Sequence, residues 1–431
     1  MTPPGTPPAP TPLPTPQQDR PIAVALAGLL ALAVAMGIGR FAFTPLLPMM
    51  LHDGAITLPA ASWLASANYL GYWLGAMACA LQPWAWQRWR SARGITPPLV
   101  HTVVVRVGLV ATVLLTLGMA LHAPALWPLW RFLAGVASAL VFVYGAGWCL
   151  VRLTALGAPA LAGIIFVGPG LGITVSGLAA TAMVAAGGSA ATGWAVFGVL
   201  AAVLTALAWP HLRGVVLLPA MAPAVAVGGQ GSAMAVFTLA YGLAGFGYIV
   251  TATFLPVIAR QALPGSVWLD LFWPLLGIAV AAGALLTLRL PTHWDRRHLL
   301  IGCYVMQALG VLMGAWLPSL WGFALGSLLI GLPFTTITLF VMQEARRLRP
   351  HNASAFIGGL TAAYGLGQIA GPPMVALLMA PGGGAGSAGR GFALSLQIAA
   401  AALLLGAGLF AGLAHRHPLA AARQGGTAQS A

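Results

Sequence analysis

Apolar residues arrive in long runs, separated by short stretches where arginine, proline and glycine collect. The runs fall at about 22–50, 59–82, 99–121, 125–151, 159–186 and 190–210. After a Gly/Pro-rich stretch from His211 to Ser232 they resume at about 233–260, 268–290, 298–317, 319–342, 353–380 and 391–413. Each is long enough to cross a hydrocarbon core of about 30 Å as a helix. The pattern predicts an all-α membrane protein with twelve transmembrane helices in two sets of six. It divides the chain into a Pro-rich tail (1–20), a first six-helix bundle (21–210), a linker (211–232), a second bundle (233–413) and a short tail (414–431). Eight prolines in the first sixteen positions make the leading segment a disordered tail. The run that follows is too long for a signal peptide and is expected to stay as the first span.

The two sets look like copies. Gly37-x-Gly39 followed by Leu47-Pro48 is matched by Gly245-x-Gly247 followed by Leu255-Pro256. Leu129-Trp130-Arg131-Phe132-x-x-Gly135 is matched by Leu320-Trp321-Gly322-Phe323-x-x-Gly326, and Gly168-Pro169 by Gly371-Pro372. The matches keep their order along the chain, which points to parallel six-helix repeats with a site at their interface near the midplane. At the place of Arg40 in the first copy, one residue past the second glycine, the second copy has Tyr248.

Composition sharpens the picture. The chain is 60% hydrophobic and 6% charged, which excludes a soluble domain of this length. Its nineteen basic residues are all arginine, against five acidic ones. With the N-terminus in the cytoplasm, fourteen arginines fall in inner segments and only Arg260 and Arg390 in outer ones. That asymmetry predicts a bacterial inner-membrane protein with both termini cytoplasmic, and it accounts for the charge without nucleic acid. With no lysine there is no phosphate-binding loop of an ATP-driven pump. The histidines show no metal-ligand spacing, the three cysteines lie in apolar runs, and no cofactor or catalytic cluster is expected.

Candidate chemistry therefore lies inside the spans. Arg40 sits about 6 Å beyond the midpoint of the first run. An ionisable group at that depth needs a compensating environment. Gly37, Gly39, Pro45 and Pro48 loosen the same helix. Its guanidinium could bind a carboxylate or phosphate in a water-filled cavity, or hold carbonyls freed by the prolines. Arg131 lies about six residues from the outer end of its span, where it could snorkel or bind; Arg106 is expected to anchor at the inner end. Asn68, Tyr72 and Gly75 share one face of the second helix, Tyr241, Gly245 and Tyr248 recur on the seventh, and Tyr364 and Gln368 form an i,i+4 pair on the eleventh. No acidic residue lies at depth, so the cavity should be neutral to positive. Asp270, at the start of the eighth helix, is a candidate for proton coupling, a partner for an outer-gate arginine, or simply an acid at a helix N-terminus.

Taken together, Gly37-Ile-Gly-Arg-Phe-Ala-Phe-Thr-Pro-Leu-Leu-Pro48, Ser66-Ala-Asn-Tyr-Leu-Gly-Tyr72, Tyr241-Gly-Leu-Ala-Gly-Phe-Gly-Tyr248 and Tyr364-Gly-Leu-Gly-Gln-Ile-Ala-Gly-Pro372 resemble the YbfB/YjiJ-like branch of the major facilitator superfamily. The resemblance covers roughly residues 22–413 and implies the major facilitator fold. Arg131 with Gly135 is similar to that superfamily's fourth-helix Arg-x-x-x-Gly motif, which the resemblance links to proton coupling or substrate response. Gly168-Pro169-Gly170-Leu171-Gly172 resembles the fifth-helix motif of proton-antiport exporters. The loop after the second helix departs from the family gate, reading Gln82-Pro-Trp-Ala-Trp-Gln-Arg-Trp-Arg90 with no aspartate; Thr292-His-Trp-Asp-Arg-Arg297 keeps a partial echo. The expectation is a monomeric secondary transporter, not an enzyme, moving a small organic anion or carboxylate-bearing solute by alternating access, with a co-transported proton as a candidate partner. Proton-coupled export of neutral or drug-like compounds is the alternative, and a non-transporting receptor a third.

Overall fold

In a computed structural model, the described residues are 20–93, 101–214, 231–266, 268–291, 294–349, 353–379 and 387–416. Most of the tail at 1–20, the linker between 214 and 231, and everything past 416 lie outside them, as do Thr292, His293 and the side chains of residues 83–93. The described residues form twelve helical rods. In chain order they are α1 (Pro21–His52), α2 (Leu58–Arg93), α3 (His101–Gly118), α4 (Trp127–Ala155), α5 (Val167–Ala185), α6 (Ala190–Ala208), α7 (Gly231–Ala262), α8 (Phe272–Thr287), α9 (Arg296–Trp316), α10 (Leu320–Leu348), α11 (Ala353–Leu378) and α12 (Ser387–Arg416). The described residues contain no strand.

Two boundaries differ from the periodicity. The second helix does not stop near residue 82 but continues to Arg93, so most of the expected loop is helical. The fifth run opens with eight residues of 3-10 helix, Pro159–Phe166, before α5 proper begins. Pro169 therefore sits in the first turn of α5, where a missing N–H costs nothing, and does not bend it.

Within the first half α4 packs on α2, α3 and α1, while α5 crosses α1 and α6 covers α3. The second half repeats the scheme: α7 packs on α11 and α12, α10 on α8 and α9, and α9 on α12. The halves meet along α2 with α11, α5 with α8, and the last section of α1 with α7. Small residues set these distances. A Cβ on Gly37 would lie 2.3 Å from the Gly172 Cα, so α1 and α5 touch backbone to backbone. The outer surface is apolar: Val107, Leu114, Val199, Trp321, Leu377 and Leu405 are all more than half exposed, as a surface solvated by lipid requires.

Proline positions explain two of the polar contacts between the halves. A proline lacks the N–H that would pair with the carbonyl four residues earlier. Pro256 thus frees the Ala252 carbonyl, which accepts from the Thr44 hydroxyl at 2.8 Å. Pro373 frees the Ile369 carbonyl, which accepts from the Ser66 hydroxyl at 3.2 Å. In an apolar core each such carbonyl needs a partner, and the other half supplies it.

Candidate functional site

The site begins with a defect in α1. From Ala33 to Arg40 the helix widens by about one residue per turn, and the Phe41 N–H reaches back five residues to the Met36 carbonyl at 3.1 Å. Further on, the Thr44 N–H bonds the Phe41 carbonyl at 3.1 Å instead of the Arg40 carbonyl. The backbone at Arg40 is left short of a partner.

Arg131 of α4 fills that gap. Its guanidinium donates to the Gly39 carbonyl at 3.2 Å and the Arg40 carbonyl at 3.0 Å. The Asn68 amide of α2 donates to the Arg131 carbonyl at 2.8 Å and approaches the Gly39 carbonyl at 3.5 Å. Both side chains are buried. Arg131 therefore does not snorkel; it and Asn68 tie the widened turn of α1 to α2 and α4. Gly75 faces α4, where a Cβ would meet Val136 and Ala139, not a cavity. Arg106 Nη2 donates to the Trp209 carbonyl at 3.2 Å.

The widened turn aims Arg40 toward the second half. Its Nη2 donates to the Gln368 Oε1 at 2.5 Å, and the Gln368 amide in turn donates to the Tyr248 hydroxyl. The guanidinium lies 4.0 Å from the centre of the Tyr72 ring, with the Tyr69 ring at 5.4 Å and the Phe41 ring at 5.3 Å. These faces, rich in π electrons, offset part of the charge. Arg40, Gln368 and Tyr248 are 3%, 1% and 1% exposed, whereas Tyr72 and Tyr364 are only half buried. The Arg40 Nε and Asn68 Oδ1 have no hydrogen-bond partner.

Beside this cation runs an aromatic ladder. The Tyr241 and Tyr364 rings stack at 4.6 Å between centroids, and Tyr364 stacks on Tyr248 at 5.9 Å. Phe334 closes edge-on against Tyr248 at 4.9 Å and Phe41 at 6.0 Å, and Trp273 meets Phe41 at 6.2 Å. Sequence reasoning misses Tyr69, Trp273, Phe334 and Thr253. Tyr69 has a signal, since Tyr69, Tyr72 and Trp73 fall at i, i+3 and i+4; the others sit in apolar runs that look like packing. Thr253 bonds the Tyr69 hydroxyl at 2.8 Å.

The remaining candidates lie elsewhere. Asp270 Oδ1 pairs with Arg260 Nη2 at 2.5 Å at the end of the bundle opposite the described chain ends. Gly168 packs on the Leu29 carbonyl and Gly371 on Ile249, both as close helix contacts. Pro372 sits inside α11 and removes the N–H that would serve the Gln368 carbonyl, while Pro45 falls in the first turn of the last section of α1 (Phe43–His52) and Pro48 lies further within it. None of the described acids (Asp53, Asp270, Asp295, Glu344) bonds Arg40 or Arg131, and the described residues hold no His/Cys/Asp/Glu cluster of metal-binding kind.

The sequence matches the model of the family described as "Uncharacterised MFS-type transporter YbfB" over residues 32–411. The chain belongs to this family of MFS-type transporters. No curated protein matches it significantly. Among solved structures, a point mutant of the nucleoside transporter NupG is similar with a TM-score of 0.66 at 14% identity, over 91% of this chain and 99% of the other. A bacterial homologue of the human lysosomal transporter Spinster, inward-facing and unoccupied, is similar with a TM-score of 0.62 at 13% identity, over 92% of this chain and 97% of that one. At such identities the likeness establishes the fold: the YbfB-like chain has the twelve-helix MFS architecture. It is a multi-pass membrane transporter for a small molecule, and not an enzyme.

Proposed function

We propose that this MFS-type transporter carries a small organic anion, or a solute bearing a carboxylate, across the bacterial inner membrane by alternating access. The moving units are residues 21–210 and 233–413, joined by the linker at 211–232, and the protein works as a monomer. The observation that carries this reading is Arg40: a fully buried guanidinium with no carboxylate of the described residues bonded to it, one nitrogen unpartnered, and aromatic faces around it. Burying an uncompensated charge is costly, so such a site favours an anionic ligand that completes it. Arg131 differs because α1 carbonyls occupy its Nη1 and Nη2, although its Nε is unpartnered like that of Arg40.

The test is a thermal-stability screen of the purified full chain against carboxylates, phosphates, nucleosides and amines, followed by uptake of the best ligand into proteoliposomes. A ligand raises apparent stability by mass action. Arg40→Gln is expected to fold and to lose carboxylate-induced stabilisation and transport by more than about tenfold, the scale of one charge-assisted hydrogen bond. Unchanged transport in that variant overturns the assignment.

A second reading has one observation in its favour. The Tyr241–Tyr364–Tyr248 ladder would stack against a flat neutral solute, and NupG, a structural relative, is a nucleoside transporter. Stabilisation by nucleosides that survives Arg40→Gln would select this reading over the first.

Orientation follows from the arginine distribution, with both termini cytoplasmic. Reporter fusions that are active only in the cytoplasm should work at either end of the chain; an active periplasmic reporter at either end contradicts it.

A further inference from the structure

Arg40 is already occupied by a group of this protein. We infer that Gln368 is an internal stand-in for the substrate: its amide oxygen holds Arg40 when the transporter is empty, latches the two halves together, and is displaced by a substrate oxygen. The inference rests on Arg40 as the binding group and adds how the empty carrier behaves.

Three observations converge on it. The Arg40–Gln368 hydrogen bond joins α1 of the first half to α11 of the second, and the same amide continues to Tyr248 on α7. Gln368 Oε1 is a carbonyl-type acceptor, so it presents to the guanidinium what one oxygen of a carboxylate would present, without the charge. Finally, the guanidinium is only partly satisfied, with Nε unpartnered, so a two-oxygen ligand would bind Arg40 better than the amide does. The neighbouring contacts between the halves differ in kind. Thr44 to Ala252 and Ser66 to Ile369 end on backbone carbonyls, and Tyr69 with Thr253 pairs two neutral hydroxyls. None of these involves a charge that a ligand could take over.

The consequence is a mode of transport. Opening the site in the empty state breaks the latch and leaves Arg40 without an acceptor in an apolar core. Opening it with a carboxylate bound does not, because the ligand keeps the charge compensated. The loaded carrier reorients readily and the empty one slowly, so the protein works as an exchanger. Among the described residues no carboxylate lies at the depth of Arg40 to neutralise the site by taking up a proton: Asp53, Asp270, Asp295 and Glu344 lie in loops or near helix ends.

The experiment needs no identified substrate. Spin labels are placed at exposed Thr154 on α4 and Gln343 on α10 as T154C and Q343C, with Cys79, Cys149 and Cys303 replaced by serine, and the inter-label distance is measured in nanodiscs. With Gln368 present, one distance population is expected. Gln368→Leu should raise a second population by about tenfold, the size expected for losing a hydrogen bond to a charged group. Gln368→Glu supplies a permanent counter-charge and should give a single population and a higher melting midpoint. That gain should vanish in the Arg40→Gln/Gln368→Glu double variant, a result a purely packing role for residue 368 would not give. Equal distributions in wild type and Gln368→Leu, or a Gln368→Glu variant as destabilised as Gln368→Leu, overturns the latch. Since these readouts use no ligand, the latch can fail while anion binding stands. Conversely, a carboxylate screen that fails while the glutamate variant still locks would reject the binding assignment alone.

Discussion

Arg40 and Arg131 have opposite fates, decided by a few ångströms of backbone. Arg131 points at carbonyls that the widened turn of α1 leaves exposed, and its job is to satisfy them. Arg40 points away from its own backbone, over Tyr72 and toward Gln368. Arg131→Leu should therefore lower stability by roughly 2–5 kcal/mol, through two orphaned carbonyls in an apolar setting. Arg131→Lys should recover part of that, and melting of the two purified variants checks the order. Arg40→Gln, in contrast, should melt close to wild type. A loss of the same size in both would mean that Arg40 is also a structural arginine. The sequence placed both residues inside spans, Arg40 deep and Arg131 nearer the outer end, but could not assign their roles, because the difference is where each side chain finds an acceptor.

At the level of helices, proline carries information that hydropathy does not. Pro256 and Pro373 each release a carbonyl in the second half, and Thr44 and Ser66 of the first half bond those carbonyls. The contacts are thus written into both copies of the chain, although they become visible only once α1 meets α7 and α2 meets α11. Thr44→Val with Ser66→Ala is expected to cost about 1 kcal/mol per bond, the usual size of a hydrogen bond between membrane helices. Hydrogen exchange should rise in α7 and α11 around residues 252 and 369. An unchanged exchange pattern would show that the carbonyls find other partners. The repeat itself was legible in the glycine and proline spacings, since close helix contacts admit no side chain. The end of α2 at Arg93 was not, because a polar, tryptophan-rich stretch reads as a loop and helix formation there needs no apolar face.

Across the whole molecule, charge collects at the end that carries the described chain termini. There Asp295 caps α9, accepting from the Arg297 backbone N–H at 2.9 Å and pairing with the Arg297 side chain at 2.8 Å. Burial by itself would raise this carboxyl, but the hydrogen bonds and charge of Arg297 outweigh it and hold Asp295 below its usual value. A carboxyl depressed on folding contributes stability above its unfolded value of about 3.9, and that contribution fades as pH falls through the lower folded value. Asp295→Asn keeps a cap acceptor and loses the ion pair. Its melting midpoint should lie below wild type at about pH 7 and draw level with it in acid. A difference that persists in acid strong enough to protonate the folded carboxyl would assign the loss to packing, not to charge.

By itself the sequence determined that this is an integral membrane protein of twelve spans in two related halves, with its expensive charges in the first. Those conclusions follow from free energies that add along a chain: apolar length against hydrocarbon thickness, arginines counted loop by loop, glycines and prolines at repeated spacings. Only the tertiary structure decided that Arg131 and Asn68 support the backbone, that Tyr69, Phe334 and Trp273 join the lining, and that Arg40 meets Gln368 and Tyr248 from the other half. A hydrogen bond has direction and a reach of about 3 Å, so its partners are fixed by helix rotation and crossing, which no count along the chain contains.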